Sequence, residues 1–207
     1  MKAFTALLVL VGVLAANAET TNAPGKVIAI VNAAGLKPDV LQAIKQAAEK
    51  SLNVPFETVT IAPIQATNLV AVLPAAAAQK TERYPALVML VNATTAVLNH
   101  ASYDTNTAVS IVNVTAMATD KPDVLQTRLN KQVIRGTVFA FGLPPSRDPF
   151  CVSRDYKTTD DLDKAVTVLF PPWQWRFEQY AQQKGLVLLM KHRLPRTGQP
   201  LLPTLPR

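Results

Sequence analysis

The chain has 207 residues, of which 49% are hydrophobic, and a formal net charge of +7 at pH 7. This length allows one domain with a sizeable core, and the single cysteine, Cys151, excludes an intrachain disulfide. No acidic residue follows Glu178, whereas five basic residues do. The positive charge is therefore concentrated at the C-terminal end, and a nucleic-acid-binding domain is not expected.

The first eighteen residues have the features of a signal peptide. Lys2 precedes an apolar run over residues 3–14, and Ala16-Asn17-Ala18 supplies the small residues that precede a cleavage site. The apolar run is shorter than the roughly 20 residues of a membrane-spanning helix, which disfavours the alternative of an uncleaved anchor. We therefore predict cleavage after Ala18 and a secreted or periplasmic protein.

Strand-like and helix-like patterns alternate over residues 19–190, which predicts a single α/β (α+β) domain with a mixed sheet and packed helices. The predicted strands cover residues 26–32, 56–61, 86–91 and 108–115, and the predicted helices cover residues 38–52, 68–79 with Pro74 inside, and about 120–142. Thr119 or Asp120 is expected to cap the long third helix, and Gly142 is expected to end it.

Two sequence features are interpreted as helix starts. The hexapeptide Lys-Pro-Asp-Val-Leu-Gln occurs at residues 37–42 and again at 121–126. Proline needs no amide hydrogen in a first turn, and an early aspartate favours the positive end of the helix dipole. Internal duplication is the alternative explanation. The acidic stretch at residues 160–163 is interpreted in the same way, and a calcium loop is its alternative.

Residues 135–174 resemble the motif region of the archaemetzincins, a branch of the metzincin zinc peptidases. The family pattern is His-Glu-x-x-His-x-x-Gly-x-x-His-Cys, four residues, Cys-x-Met, seventeen residues, then Cys-x-x-Cys. Alignment on Gly142 needs no gap, and it preserves Phe141-Gly142-Leu143, Cys151-Val152 and Asp163-Lys164. The resemblance implies a zincin-like fold in which the helix at about 120–142 is the former active-site helix.

The resemblance also implies that the catalytic zinc site has been lost. The three histidine positions are occupied by Arg135, Phe139 and Pro145, and the position of the glutamate that activates water is Gly136. Arginine is a permanent cation, and phenylalanine and proline have no side-chain lone pair to donate. We therefore expect no zinc, no other metal and no cofactor at this site.

The second zinc site of the family is also lost in this register. The four positions that hold cysteines in the family are occupied by Ser146, Cys151, Pro171 and Gln174. Ser153 occupies the position of the methionine that lies below the catalytic metal in the family. An apolar cluster is expected to replace the structural zinc, and its candidate members are Phe170, Trp173, Trp175 and Phe177. Cys151 is predicted to be a small buried hydrophobic residue; a reactive pair with His100 is the alternative.

These features predict a secreted, non-catalytic archaemetzincin-like protein, a pseudopeptidase. The former substrate groove, bordered by the strand at 108–115, would bind a peptide or protein, and Arg135 would pair there with Asp148 or Asp155. A hydrolase or peptidase-related enzyme that uses unrecognised residues of the same cleft is the alternative. In a third interpretation, the basic, proline-rich tail at residues 191–207 binds an anionic surface.

Overall fold

The computed structural model of the chain describes residues 25–96 and 98–190. The strands are β1 (Ile28–Ala33), β2 (Phe56–Thr60), β3 (Gln65–Ala66), β4 (Leu87–Ala93), β5 (Ala101–Asp104) and β6 (Val109–Asn113). The helices are α1 (Pro38–Leu52), α2 (Leu69–Ala77), α3 (Pro122–Ala140), α4 (Thr159–Lys164) and α5 (Pro171–Gln183), with a 3-10 turn at Thr115–Met117. The predicted signal peptide, residues 1–18, and the predicted tail, residues 191–207, lie outside the described residues.

The strands form a mixed sheet, as predicted. Its order is β2-β1-β4-β6-β5, and β3 pairs with the end of β4. Strands β2, β1, β4 and β6 are parallel, whereas β5 runs antiparallel to β6 at the edge of the sheet. The predicted strand at 108–115, which was expected to border the former substrate groove, is therefore an internal strand, and β5 forms the edge of the sheet beside it. The half-exposed segment of β5 has no long apolar run, so the hydrophobic pattern did not predict a strand there.

Helices cover both faces of the sheet. One face packs against a cluster that includes Leu129, Val138 and Phe177 from α3 and α5. The opposite face packs against Leu69, Val72 and other apolar residues of α2. Burial on both faces explains why the central strands have continuous apolar runs.

Backbone features, and no side-chain cap, determine where helix α3 starts and ends. Its N-cap is Lys121, and no side chain caps it, so the predicted cap at Thr119 or Asp120 is wrong. Pro122 already lacks the amide hydrogen that would need a partner in the first turn. Gly142 has a φ of 83°, and the amides of Gly142 and Leu143 donate to the carbonyl oxygens of Phe139 and Val138. This is a Schellman motif, and it turns the chain away from the helix axis, as Gly142 was predicted to do.

Both hexapeptides begin helices, as predicted, with Pro38 and Pro122 in the first turns of α1 and α3. The acidic stretch begins α4, where Thr158 accepts a hydrogen bond from the amide of Asp161. Helix α5 was not predicted. None of the helices in the described part of the chain combines the length and the apolar character that a membrane span requires.

Candidate functional site

A cleft of about 320 Å³ lies between the edge strand β5 and the C-terminal half of α3. Arg135, Gly136, Phe139 and Pro145, the four positions that the family resemblance assigned to the catalytic zinc site, all line it. Three of them are on α3, and Pro145 reaches the same cleft because the chain reverses at Gly142. The fold therefore brings together four positions that the sequence alone could only align.

Arg135 is the best-buried charged residue of this cleft, with 6% of its surface exposed. Its Nη1 donates to the carbonyl oxygen of Val152 at 2.7 Å and also to that of Arg154. The guanidinium carbon lies 5.0 Å from the ring centroid of Phe139 and 4.5 Å from that of Tyr156. Burial lowers the pKa of Arg135 from its ordinary value. The guanidinium group is thus in contact with two aromatic rings.

The predicted ion pair of Arg135 with Asp148 or Asp155 is not formed. The salt bridges among the described residues involve neither aspartate, although Asp155 attracts the guanidinium electrostatically. Backbone carbonyl oxygens of the segment after α3 turn inward and occupy the positions where a carboxylate was expected. Asp155 stays at the exposed rim of the cleft.

The residues of the cleft do not fit a zinc ion. A cationic guanidinium occupies the region between Phe139 and Tyr156, and Phe139 and Pro145 offer no donor atom. In the described part of the chain, no group of three or more histidine, cysteine, aspartate or glutamate side chains is placed to hold a metal.

Gly136 allows α3 to approach β6 closely. A Cβ atom at this position would lie 2.5 Å from Oγ and 3.1 Å from Cβ of Ser110. Ser110 is fully buried, and its hydroxyl donates to the carbonyl oxygen of Ser102 at 3.3 Å. Any side chain at position 136, including a glutamate, would have to displace this contact between helix and sheet.

Three polar side chains that were not predicted to act together form a hydrogen-bonded chain in the cleft. Nε2 of Gln132 donates to the hydroxyl of Tyr156, which lies 2.9 Å from Nδ1 of His100. The rings of His100 and Tyr156 are stacked, with centroids 5.4 Å apart. Because the Tyr156 hydroxyl accepts from Gln132, its own hydrogen is available for His100 Nδ1. This assignment leaves the proton of neutral His100 on Nε2.

The surroundings shift the pKa values of both aromatic members of this chain. Burial, followed by repulsion from Arg128 and Arg135, lowers the pKa of His100. Burial raises the pKa of Tyr156, although Arg135 and Gln132 act in the opposite direction. Near neutral pH the hydrogen-bonded chain is therefore uncharged. No sequence motif joins Gln132, His100 and Tyr156, which explains why sequence reasoning missed the group.

The four positions assigned to the second zinc site differ in their surroundings. Cys151 is 2% exposed; its Sγ lies 3.2 Å from Ser153 Oγ and accepts the amide hydrogen of Phe170 at 3.3 Å. The prediction of a buried cysteine is confirmed, and the alternative pair with His100 is not formed. Ser146 is buried, whereas Pro171 is exposed and Gln174 donates to Glu178 on α5.

The predicted apolar cluster forms only in part. Phe177 is fully buried in the main core, and Trp173 packs against that core while its Nε1 donates to the carbonyl oxygen of Pro144. Phe170, however, is 42% exposed, and Trp175 is not part of the core. Because Phe170 is exposed, its side chain does not contribute to a buried apolar cluster that would replace the structural zinc.

Three basic side chains of α3 fasten the chain segment that follows the helix. Arg128 makes two hydrogen bonds of 2.9 and 2.7 Å to the carboxylate of Asp163. Lys131 is 2% exposed and donates to the carbonyl oxygens of Leu162 and Asp163. Arg135 binds carbonyl oxygens nearer the start of the same segment. These three protein cations anchor the segment from Val152 to Asp163 to α3.

Solved structures of archaeal zinc peptidases share this fold. The chain superposes on the archaemetzincin of Methanopyrus kandleri with a TM-score of 0.65 and 14% identity, covering 76% of this chain and 96% of that one. For a zinc-dependent peptidase of Methanocorpusculum labreanum the values are 0.61, 10%, 72% and 99%. For the archaemetzincin of Archaeoglobus fulgidus complexed with malonate they are 0.54, 12%, 72% and 98%.

These similarities establish the archaemetzincin fold, which the motif region had predicted. No protein-family model matches the chain, and no curated protein matches it. Because fold alone does not define activity, the function depends on the residues of the cleft.

Proposed function

We propose that the chain is a secreted, non-catalytic archaemetzincin-like protein that binds a peptide in the cleft between β5 and α3. The observation that carries this proposal is the buried Arg135, which occupies a cleft whose other aligned positions, Gly136, Phe139 and Pro145, also lack metal-binding groups. A peptidase of this fold needs a zinc-bound water at this place. A cleft of about 320 Å³ that has no metal-binding group at these positions is suited to binding.

The edge of the sheet supports a peptide as the ligand. β5 pairs with β6 on one side, and its other backbone edge borders the cleft, to which Ala101 and Tyr103 contribute. An extended peptide can add to such an edge through backbone hydrogen bonds. Leu98 and Tyr103, which are 83% and 49% exposed, provide apolar surface for its side chains at the same edge.

Three measurements on the purified secreted protein test this proposal. N-terminal sequencing should show a chain that starts at Glu19. After incubation with zinc and removal of the excess, elemental analysis should find much less than one zinc per chain, and a fluorogenic peptide mixture should remain uncleaved. Stoichiometric zinc together with cleavage would contradict the non-catalytic role.

Peptide binding is measured separately. A random pentapeptide mixture should shift the amide resonances of β5 in nitrogen-15 correlation spectra, because the added strand changes their hydrogen bonding. The resonances of β2, at the opposite edge of the sheet, serve as the internal control. Shifts of equal size at both edges, or none at β5, would count against a peptide site in this cleft.

A second candidate function is hydrolysis by unfamiliar residues of the same cleft. The hydrogen-bonded chain from Gln132 through Tyr156 to His100 favours it, because the Tyr156 hydroxyl can take a proton from an attacking water while it passes its own proton to Nδ1 of neutral His100. Activity towards peptide or ester substrates that is lost in His100→Gln would support this candidate over the binding protein.

A further inference from the structure

The guanidinium group of Arg135 has donors that the protein itself does not use. Nη1 makes both of its hydrogen bonds, to Val152 and Arg154, and the described residues accept none from Nε or Nη2. Among the described residues, the polar side-chain atoms that are sealed from solvent without a partner are Ser51 Oγ and Arg83 Nε. The unused donors of Arg135 are therefore not sealed from solvent, and the cleft is the pocket that this residue lines.

Two neighbouring aromatic rings restrict the direction of these donors. The positions of Phe139 and Tyr156, 5.0 and 4.5 Å from the guanidinium carbon, restrict the orientation of the group. A guanidinium group held in this way presents a planar fork, which matches the two oxygens of a carboxylate. The geometry provides this arrangement before any ligand binds, so little side-chain entropy remains to be lost.

The other charges of the cleft also favour an anion. Lys157 contributes a second positive charge to the lining, and Asp155 contributes the negative charge at the exposed rim. With Nδ1 engaged by Tyr156, neutral His100 keeps its Nε2–H as a further donor. Arg135 is 6% exposed and has no ion-pair partner in the described part of the chain, so its charge is incompletely compensated.

We infer that the cleft recognises a carboxylate group of its ligand, which Arg135 binds through Nε and Nη2. The inference rests on the proposed peptide-binding role of the same cleft and specifies the chemistry of the ligand. Two groups of a peptide carry a carboxylate: the free C-terminus and the side chain of an aspartate or glutamate. Matched peptides that differ in only one of these carboxylates distinguish them.

Isothermal titration calorimetry on the full secreted protein tests the inference with four acetylated tripeptides. Acetyl-Ala-Ala-Ala is compared as free acid and as amide, and acetyl-Ala-Asp-Ala-amide is compared with acetyl-Ala-Asn-Ala-amide. We expect a carboxylate to bind at least tenfold more tightly than its matched amide. A preference in the first pair assigns the site to a C-terminus, and a preference in the second pair assigns it to an acidic side chain.

Equal affinity within both pairs overturns the carboxylate inference and leaves peptide binding intact. No binding of any of the four peptides overturns both the inference and the proposed function. In Arg135→Gln the advantage of the carboxylate should disappear, whereas in Arg147→Gln, which removes an exposed charge elsewhere, it should persist. Because the comparison of ligands uses the unmodified protein, the test remains decisive if Arg135→Gln does not fold.

Discussion

The guanidinium carbon of Arg135 lies 4.5 Å from the ring centroid of Tyr156, which joins the last turns of α3 to the segment that follows the helix. The same Tyr156 ring stacks on His100, and its hydroxyl bonds to Gln132. One aromatic side chain therefore links the buried cation, the neutral histidine and the helix. The stability of the segment and the properties of the cleft depend on the same contacts.

Replacement of Arg135 by methionine should destabilise the fold by about 2–3 kcal/mol, since hydrogen bonds to charged groups contribute roughly 1.5–3 kcal/mol each and methionine restores part of the packing. The carbonyl oxygens of Val152 and Arg154 would lose their donor. Urea unfolding near pH 7 measures the change. Arg147→Met removes the same charge from an exposed position and should alter the free energy of unfolding by less than about 0.5 kcal/mol. Equal effects in the two variants would rule out an anchoring role for Arg135.

Lys131 should be a second anchor of the same segment. Its Nζ lies 3.0 Å from the carbonyl oxygen of Leu162 and 2.9 Å from that of Asp163. Lys131→Met leaves both oxygens without this donor and should cost about 2 kcal/mol, whereas Lys50→Met on the exposed surface of α1 should cost much less. Hydrogen exchange should show faster exchange confined to α4 and its flanking residues. Unchanged protection of α4 would argue against this assignment.

Gly136→Ala should destabilise the protein by about 1 kcal/mol, although alanine is the better helix former by about the same amount. The new Cβ would approach Oγ of Ser110 to 2.5 Å and break its hydrogen bond to Ser102. The double variant Gly136→Ala with Ser110→Ala removes the closer of the two contacts. Thermal unfolding of the wild type, Gly136→Ala, Ser110→Ala and the double variant forms a double-mutant cycle. We expect a favourable coupling between the two substitutions, and strict additivity would show that Ser110 is not the obstacle.

The lowered pKa of His100 predicts a loss of stability on acidification. In the unfolded chain His100 has a pKa near 6.5, and in the fold burial and the charges of Arg128 and Arg135 lower this pKa. The unfolded state therefore binds the proton first, and stability falls as the pH drops from about 7 towards 5. Tyr156, whose ring stacks on that of His100, has a raised pKa and therefore remains uncharged in this pH range.

His100→Gln should show a shallower dependence of the melting temperature on pH over the same interval. Shifted carboxylates such as Asp163, whose pKa Arg128 lowers from 3.8, titrate below this window and do not contribute to it. The second histidine, His192, is present in both proteins, so it cancels in the comparison. Parallel pH profiles for the two proteins would contradict a lowered pKa for His100.

Elements with strong patterns were predictable because local chemistry determines them. The strands at β1 and β4 are continuous apolar runs, and the prolines at positions 38 and 122 lie in the first turns of α1 and α3. β5 was missed because its four residues are mostly half-exposed and show no continuous apolar run. Its place at the sheet edge comes from antiparallel pairing with β6, which is a tertiary property.

The residue types alone exclude a zinc site at the four aligned positions of the cleft. Arginine, glycine, phenylalanine and proline at positions 135, 136, 139 and 145 supply neither a neutral nitrogen ligand nor a carboxylate in any conformation. Only the tertiary structure decided what the cleft contains instead. Gln132, His100 and Tyr156 are distant in sequence, and their contacts depend on how the chain returns after Gly142. After this turn, the chain places the carbonyl oxygens of Val152 and Arg154, and no carboxylate, next to Nη1 of Arg135. The course of the backbone here is set by long-range packing, which the local residue types do not determine.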